Sequence, residues 1–528
     1  MRTIKFETIA GDLQDVSGDL LEPAGRGFAG VEPAPAAHPR LIEMKRPATP
    51  RPTDDDTARP VPLVVDLDGT LVASDLLIEC AFATLGRRPA AIIDIIGGLR
   101  RGKADLKHRL ARSAAFDPAA LPYDPEVLAL VRQARAEGRP VYLASASNGL
   151  LVERVAAHLG LFTGWFASDA DTNLAGAVKA RQLVDAFGEN RFDYVGNSAD
   201  DLPVWQVARR SIAIRAPRRV AARLSSACPD ARHLPAQPAG LRGWAKLLRV
   251  HQYAKNALVF LPLLAAHVIT FGAIGQALAA FVAFSLCASS VYIVNDLVDL
   301  QDDRAHRSKC RRPLASGAIP LWQAMAAAPF LLLSAIAVAA SVSLPFLAVL
   351  AGYFVITTSY TFALKRMMLI DVLTLAVLYL ARVIGGAVAT GVPMSKWLLG
   401  FCLMVFLSLA LIKRYVELAA RRDARLPDSK SRDYRASDLE MVAALAAAAG
   451  FNAIVVFAVY ISTPAAGALY STPEVLWLAI PLLLYWIARA LMLASRRELH
   501  DDPMVFALKD RVSLLTMGAA ALLVVGAL

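Results

Sequence analysis

The sequence predicts two fold classes in one chain: a soluble α/β domain with a small helical cap, then an all-α bundle of nine membrane-crossing helices. Three observations predict it. Hydrophobic residues make up 56% of the chain, and its carboxyl-terminal half carries them in runs long enough to span a hydrocarbon core. Leu63, Val64 and Val65 read as a buried parallel strand, and Asp66, Asp68 and Gly69 follow at once. Lys and Arg fall in alternate connections between the apolar runs, the pattern of an oriented membrane protein.

Residues 1–59 are polar and Pro-rich and lack the apolar core of a signal peptide, so they read as a disordered, cytoplasmic leader. Residues 60–235 read as the soluble domain. Ligands of open α/β sheets bind at the carboxyl ends of the strands, which is where Asp66 and Asp68 stand. "VYLASAS" at 141–147 is a second strand and carries Ser145; a third leads into "GNSADDLPVW". The order D-x-D-G-T, Ser145, Lys179, then a loop with Asn197 and Asp201, resembles the haloacid dehalogenase (HAD) superfamily, whose domain is Rossmann-like.

That resemblance implies a phosphatase. Asp66 would be the nucleophile that forms an aspartyl-phosphate, and Asp68 the general acid and base. Ser145 and Lys179 would hold the phosphate. Asp66, Asp68, Asn197 and Asp201 would hold Mg²⁺. Asn197 stands where the family commonly has an acid, and Asp200 is the carboxylate available to compensate. An amide oxygen ligates Mg²⁺ without bringing charge, so an active phosphatase and a weakly active regulatory module both remain open. Residues 77–125 read as the helical cap, and 236–250 as a short basic linker.

Residues 251–528 read as the membrane domain. The nine apolar runs fall at about 257–271, 274–294, 321–342, 344–363, 370–391, 397–412, 441–462, 475–494 and 512–527. The connections 295–320, 365–369, 413–440 and 495–511 hold 19 Lys or Arg, while the opposite ones hold only Lys396. The positive-inside rule therefore puts the soluble domain in the cytoplasm and the carboxyl terminus outside the inner membrane. The net charge of +11 is explained by this topology and the bilayer, and does not imply nucleic acid. The five cysteines show neither metal-ligand spacing nor a disulfide framework.

The second run ends in "NDLVDLQDDRAHRSKCRRPLASG", residues 295–317. On a continuing helix Asp296, Asp299 and Asp303 share one face with Asn295 beside them. Unpaired, these carboxylates repel one another, and Mg²⁺ with phosphate oxygens would relieve that. Arg304, Lys309 and Arg312 then suit the phosphates. N-D-x-x-D-x-x-x-D followed by Arg-Pro resembles the first aspartate-rich motif of the UbiA-type prenyltransferase superfamily.

A second such motif is missing after the sixth run, where "KRYVELAARRD" stands at 413–423. With "HQYAKN" at 251–256, "YTFALK" at 360–365 and "ATGVPMSKW" at 389–397, the pattern resembles the decaprenyl-phosphate phosphoribosyltransferase branch. This implies transfer of 5-phosphoribosyl from phosphoribosyl pyrophosphate to a polyprenyl phosphate, with Mg²⁺ or Mn²⁺. Lys255, Tyr360, Lys365, Lys413, Arg414, Tyr415 and Glu417 would be substrate residues. Arg382, inside the fifth run, is a functional candidate or a partner of Asp371 or of a backbone carbonyl. The alternative is an aromatic, quinone-type prenyltransferase using a prenyl diphosphate.

Overall fold

The computed structural model describes residues 60–88 and 117–528, apart from 170–171, 235–238, 307, 428–431 and 500–502, together with a few positions between 89 and 116. The leader 1–59 and much of the expected cap lie outside the described residues.

Six parallel strands form one sheet in the order β3-β2-β1-β4-β5-β6: β1 Leu63–Val65, β2 Val141–Asn148, β3 Gly164–Ser168, β4 Asp193–Gly196, β5 Arg210–Ile214 and β6 Arg232–Leu234. Val64 and Val65 are fully buried, one on each face of the sheet, as a central parallel strand requires. The chain leaves β1 toward β2 and leaves β4 toward β5. The crevice where connections diverge therefore opens between the ends of β1 and β4. Asp66 follows β1 there, and its backbone N–H donates to Val195 O at 2.9 Å.

Local signals set the helices that frame this crevice. Asp75 caps Leu76–Arg87 by accepting from the Ile78 amide at 3.0 Å. Asp124 caps Pro125–Ala136, with Pro125 at the first helical position, where no N–H is needed.

Among the described residues of the carboxyl-terminal half, seven helices are long and apolar enough to cross a membrane: Phe271–Val298, Leu321–Val342, Leu344–Phe362, Ile370–Thr390, Lys396–Asp423, Ala436–Ile461 and Pro473–Ser495. Two of the nine expected runs do not form such a helix among the described residues. The run at 257–271 is not one α-helix: 3-10 turns cover Val250–Phe260 and a short helix covers Leu261–Ala265, with Pro262 in its first turn. The last run forms the apolar helix Arg511–Ala527, whose 17 residues lie at the short end of what crosses a hydrocarbon core. Hydropathy counts apolar residues without registering how the backbone winds.

The 3-10 segment lies hard against the Ile370–Thr390 helix. A Cβ on Gly386 would come within 1.9 Å of Val259 O, and one on Gly385 within 2.5 Å of the Phe284 ring. Paired glycines thus let two backbones approach as small residues do in membrane bundles.

The two domains share a core. Ile78 and Phe82, on the first helix of the expected cap, pack with Leu247, Leu297, Leu300 and Leu314 of the carboxyl-terminal half. A Cβ on Gly86 would meet Val298 at 2.8 Å, and Arg366 donates to Gly86 O at 3.0 Å. Leu76–Arg87 therefore docks the soluble domain onto the membrane domain.

Candidate active sites of the two domains

In the soluble domain, strand ends and one helix bring the predicted residues together. Lys179, on Gly176–Phe187, is buried and reaches Asp66 Oδ1 at 2.8 Å and Asp201 Oδ1 at 3.3 Å. Thr70 donates its hydroxyl to the other Asp66 oxygen at 3.1 Å. Ser145 and Ser147, on the same face of β2, donate to Asp68 Oδ2 at 3.1 and 2.6 Å, and the Leu76 amide donates to Oδ1 at 2.8 Å.

Asp201 lies mostly inside this network. Its Oδ1 accepts from the Tyr194 hydroxyl at 2.6 Å, and its Oδ2 accepts from the amides of Asn197 and Ser198 at 3.0 Å each. Asn197 is half-buried, with its amide group against Gly69: a Cβ there would meet Nδ2 at 2.0 Å. Gly69 has φ +76, so glycine is required both by conformation and by space. Asp200 is exposed, off this network, so the compensation expected of it has no support.

Electrostatics separate the acids. Burial pushes Asp66 up to about 7 against the opposing pull of Lys179. Burial also raises Asp68 to about 6, with Asp75 adding to the effect and the Ser147 hydroxyl opposing it. Asp201 stays low despite its burial, held down chiefly by the Lys179 charge and the Tyr194 hydroxyl. One carboxyl that titrates near neutrality and lies beside a second is the equipment of proton transfer. For the expected Mg²⁺ the fit is poor. Among the described residues no three His, Cys, Asp or Glu side chains gather as a metal site, and Asp201 is committed to its loop and to Lys179.

In the membrane domain the aspartates are not left unpaired. The helix expected to run on through residue 303 stops at Val298, and Asp299 separates it from Leu300–Ala305. Asp296 is buried and ion-paired to Arg249 and, at 3.1 Å, to Arg312. Arg312 also reaches Asp303 at 2.6 Å, and Lys309 approaches the same carboxylate at 3.9 Å. Asp299 takes Lys365 at 3.0 Å. Asn295 is half-buried one residue before Asp296, and its carbonyl accepts from the Asp299 amide. The donor set is all carboxylate oxygen, the chemistry Mg²⁺ prefers, but the interleaved cations hold these acids.

Other predicted substrate residues are brought to different places. Lys255 is buried in the 3-10 segment, with its ammonium 5.7 Å from the Tyr379 ring centre. Arg382 is also buried; it donates to Asn256 Oδ1 at 2.7 Å, to Tyr353 Oη at 2.9 Å and to Leu378 O. Its expected partner Asp371 is bound instead by Arg414 and by the Tyr434 hydroxyl at 2.6 Å. Glu417 pairs with Arg414 and with Arg432 at 2.6 Å. Arg414 and Glu417 thus tie the Lys396–Asp423 helix to its neighbours. The Tyr415 hydroxyl accepts from Arg497 at 3.3 Å; Tyr360 and Lys413 are half-buried.

Arg304 departs furthest from expectation. Rather than facing a phosphate, its Nη1 donates to Glu79 Oε2 at 2.7 Å, its Nη2 to Ser74 Oγ at 3.3 Å and its Nε to Ala315 O at 3.0 Å. Both members of the ion pair are buried, with side chains 3% and 0% exposed.

Sequence reasoning missed Tyr194, Ser147, Arg249 and Glu79. Ser147 was within reach, since residues two apart on a strand share a face. The other three meet their partners only through the tertiary fold.

A family model described as the UbiA prenyltransferase family matches residues 257–515, and one described as haloacid dehalogenase-like hydrolase matches 63–206. The chain is 35% identical over 458 residues to "Uncharacterized protein y4nM" of Sinorhizobium fredii, covering 86% of this chain and 89% of that protein. It is 30% identical over 285 residues to nodulation protein NoeC of Azorhizobium caulinodans, covering 53% of this chain and 91% of that one. Over 226 residues it is 36% identical to decaprenyl-phosphate phosphoribosyltransferase of Mycobacterium tuberculosis, covering 40% of this chain and 72% of that enzyme.

Proposed function

The chain belongs to the UbiA prenyltransferase family and carries a haloacid dehalogenase-like domain ahead of its membrane domain, and from that premise we propose that it moves a 5-phosphoribosyl group from phosphoribosyl pyrophosphate to a polyprenyl phosphate. The soluble domain then removes the 5-phosphate from the product. It is a multi-pass membrane enzyme, with both sites on the cytoplasmic side.

The observation that carries the transferase reading is the alternation of acids and cations around Asp296, Asp299 and Asp303. Arg249, Lys309, Arg312 and Lys365 come from three separate segments and meet at this group. Both proposed substrates are polyanions, so cations that can trade a carboxylate for a phosphate suit them. In the reaction an oxygen of the lipid phosphate attacks the anomeric carbon of the ribose. The bond from that carbon to pyrophosphate breaks, and Arg312 and Lys365 receive charge from the leaving group. Asp296, Asp299 and Asp303 do not gather as a metal site while these cations hold them; were the cations drawn off to phosphate, the three carboxylates would be the residues to hold Mg²⁺ or Mn²⁺, which would supply further charge stabilisation to the pyrophosphate.

In the soluble domain, the Asp66 carboxylate attacks phosphorus while Asp68 gives its proton to the departing ribose oxygen. Asp68 then takes a proton from the water that hydrolyses the aspartyl-phosphate, releasing phosphate and restoring Asp66. Lys179 offsets charge on the transferring group. No step is assigned to a metal here, because the acids do not assemble one.

The test is mass analysis of lipid made by purified full-length protein from phosphoribosyl pyrophosphate and polyprenyl phosphate. Ribosyl lipid from wild type and 5-phosphoribosyl lipid from Asp66→Asn are expected. Prenylated 4-hydroxybenzoate without any ribosyl lipid would overturn the assignment.

A further inference from the structure

We infer that the membrane domain completes the phosphatase site: the loop from Arg304 to Gly317 positions the catalytic loop Asp66–Asp75, and Arg304 is the residue that locks it. The inference rests on the phosphatase reading of the soluble domain.

The catalytic loop is held together by a few contacts. The Gly69 amide donates to Ser74 O at 2.9 Å, and Leu71 and Val72 fold back onto Asp66 O and Leu67 O at 3.2 and 3.0 Å. Thr70, inside this turn, binds Asp66, and the Leu76 amide just beyond it binds Asp68. The placement of both catalytic carboxylates thus depends on where residues 73–76 lie.

Residues 73–76 are held from the membrane domain by two independent contacts. Arg304 donates to Ser74 Oγ and to Glu79, one turn into the helix that starts at Leu76. Gly317, with φ +72, lies on Ala73 so closely that an added Cβ would fall 2.6 Å from both Ala73 O and Ala73 Cβ. Ala315, between the two, accepts from Arg304 Nε, so the loop braces its own arginine. A charged pair buried on both sides is costly to break from one end, which makes this contact rigid. Within the same loop, Arg312 ion-pairs Asp296 and Asp303 of the transferase centre. One short segment thus touches the working parts of both sites.

The experiment is amide hydrogen exchange on the full-length protein in lipid nanodiscs, read at residues 66–75, for wild type, Arg304→Gln and Gly317→Ala. Exchange at 66–75 should rise about tenfold or more in both variants, while the strand at 141–148 keeps its protection. Turnover of p-nitrophenyl phosphate should fall in kcat with KM little changed, and Arg304→Lys should recover part of it. Unchanged exchange at 66–75 in both variants would overturn the proposal. Equal loss of protection at 141–148 would also overturn it, because the contact would then only support the domain's global stability. If one variant does not fold, the other decides. A loop loosened by the variants in a protein with no wild-type phosphatase activity would uphold the positioning and sink the phosphatase reading alone.

Discussion

The two polar centres solve charge burial in opposite ways. In the soluble domain, Asp66 and Asp68 are served mostly by neutral hydroxyls and amides: Thr70, Ser145, Ser147 and the Leu76 N–H. Only Lys179 brings full positive charge, and it is shared between Asp66 and Asp201. In the membrane domain, every one of Asp296, Asp299 and Asp303 has a cation of its own or shares one. Burial among mostly neutral donors raises the Asp66 and Asp68 carboxyls toward neutrality. The proposed function uses the first centre to move protons and the second to exchange one set of anions for another.

The largest effects should come from removing the groups that define each centre. Asp66→Asn should lower phosphatase turnover by about three orders of magnitude or more and leave transfer intact, because the nucleophile has no substitute. Asp299→Ala and Asp303→Ala should abolish transfer while the protein still inserts and the phosphatase still turns over. A joint loss in either direction would mean the two centres are not chemically separate.

Packing is the next lever. Gly386→Ala should cost about 1–3 kcal/mol, because its Cβ has no room beside Val259 O. Thermal unfolding should register it. Transfer should fall as well, since the 3-10 segment that the added methyl displaces carries Lys255 and Asn256.

Phosphatase turnover should depend on pH. Asp66 must be ionised to attack, so phosphatase rate rises with pH as the carboxyl at about 7 loses its proton. Asp68 must be protonated to donate, so the rate falls as pH climbs past about 6. A bell with its maximum between those values is expected. A pH-independent phosphatase rate from 5 to 8 would remove the proton-transfer contrast. The smallest effect is expected of Asn197→Asp, which adds a carboxylate beside Gly69; a modest gain in phosphatase rate at limiting Mg²⁺ would sharpen the account of the weak metal fit.

What was legible in the sequence follows the same divide. Asp66, Asp68 and Thr70 fall within five residues because one tight turn must hold them, and Lys179 and Asp201 follow in a readable order. Asp296, Asp299 and Asp303 were readable as a spacing. The cations Lys309, Arg312 and Lys365 were readable as residues, but Arg249, 47 residues from Asp296, was not, nor was Glu79, 225 from Arg304. No local pattern encodes such meetings. The same limit explains Arg304, Arg414 and Glu417: a charge near a motif looks like a ligand until the fold supplies an opposite charge to bury it with. The count of spans was less legible for a different reason, since the apolar run at 257–271 begins in 3-10 turns and continues in the short helix Leu261–Ala265.

The central claim is that one chain ribosylates a lipid and then strips the 5-phosphate. It is tested most directly with phosphoribosyl pyrophosphate carrying a carbon label in the ribose and a phosphorus label in the 5-phosphate. Incubated with full-length protein and polyprenyl phosphate, the lipid fraction should gain the carbon label without the phosphorus label, and the phosphorus label should appear as inorganic phosphate. Lipid that gains neither label would contradict the account.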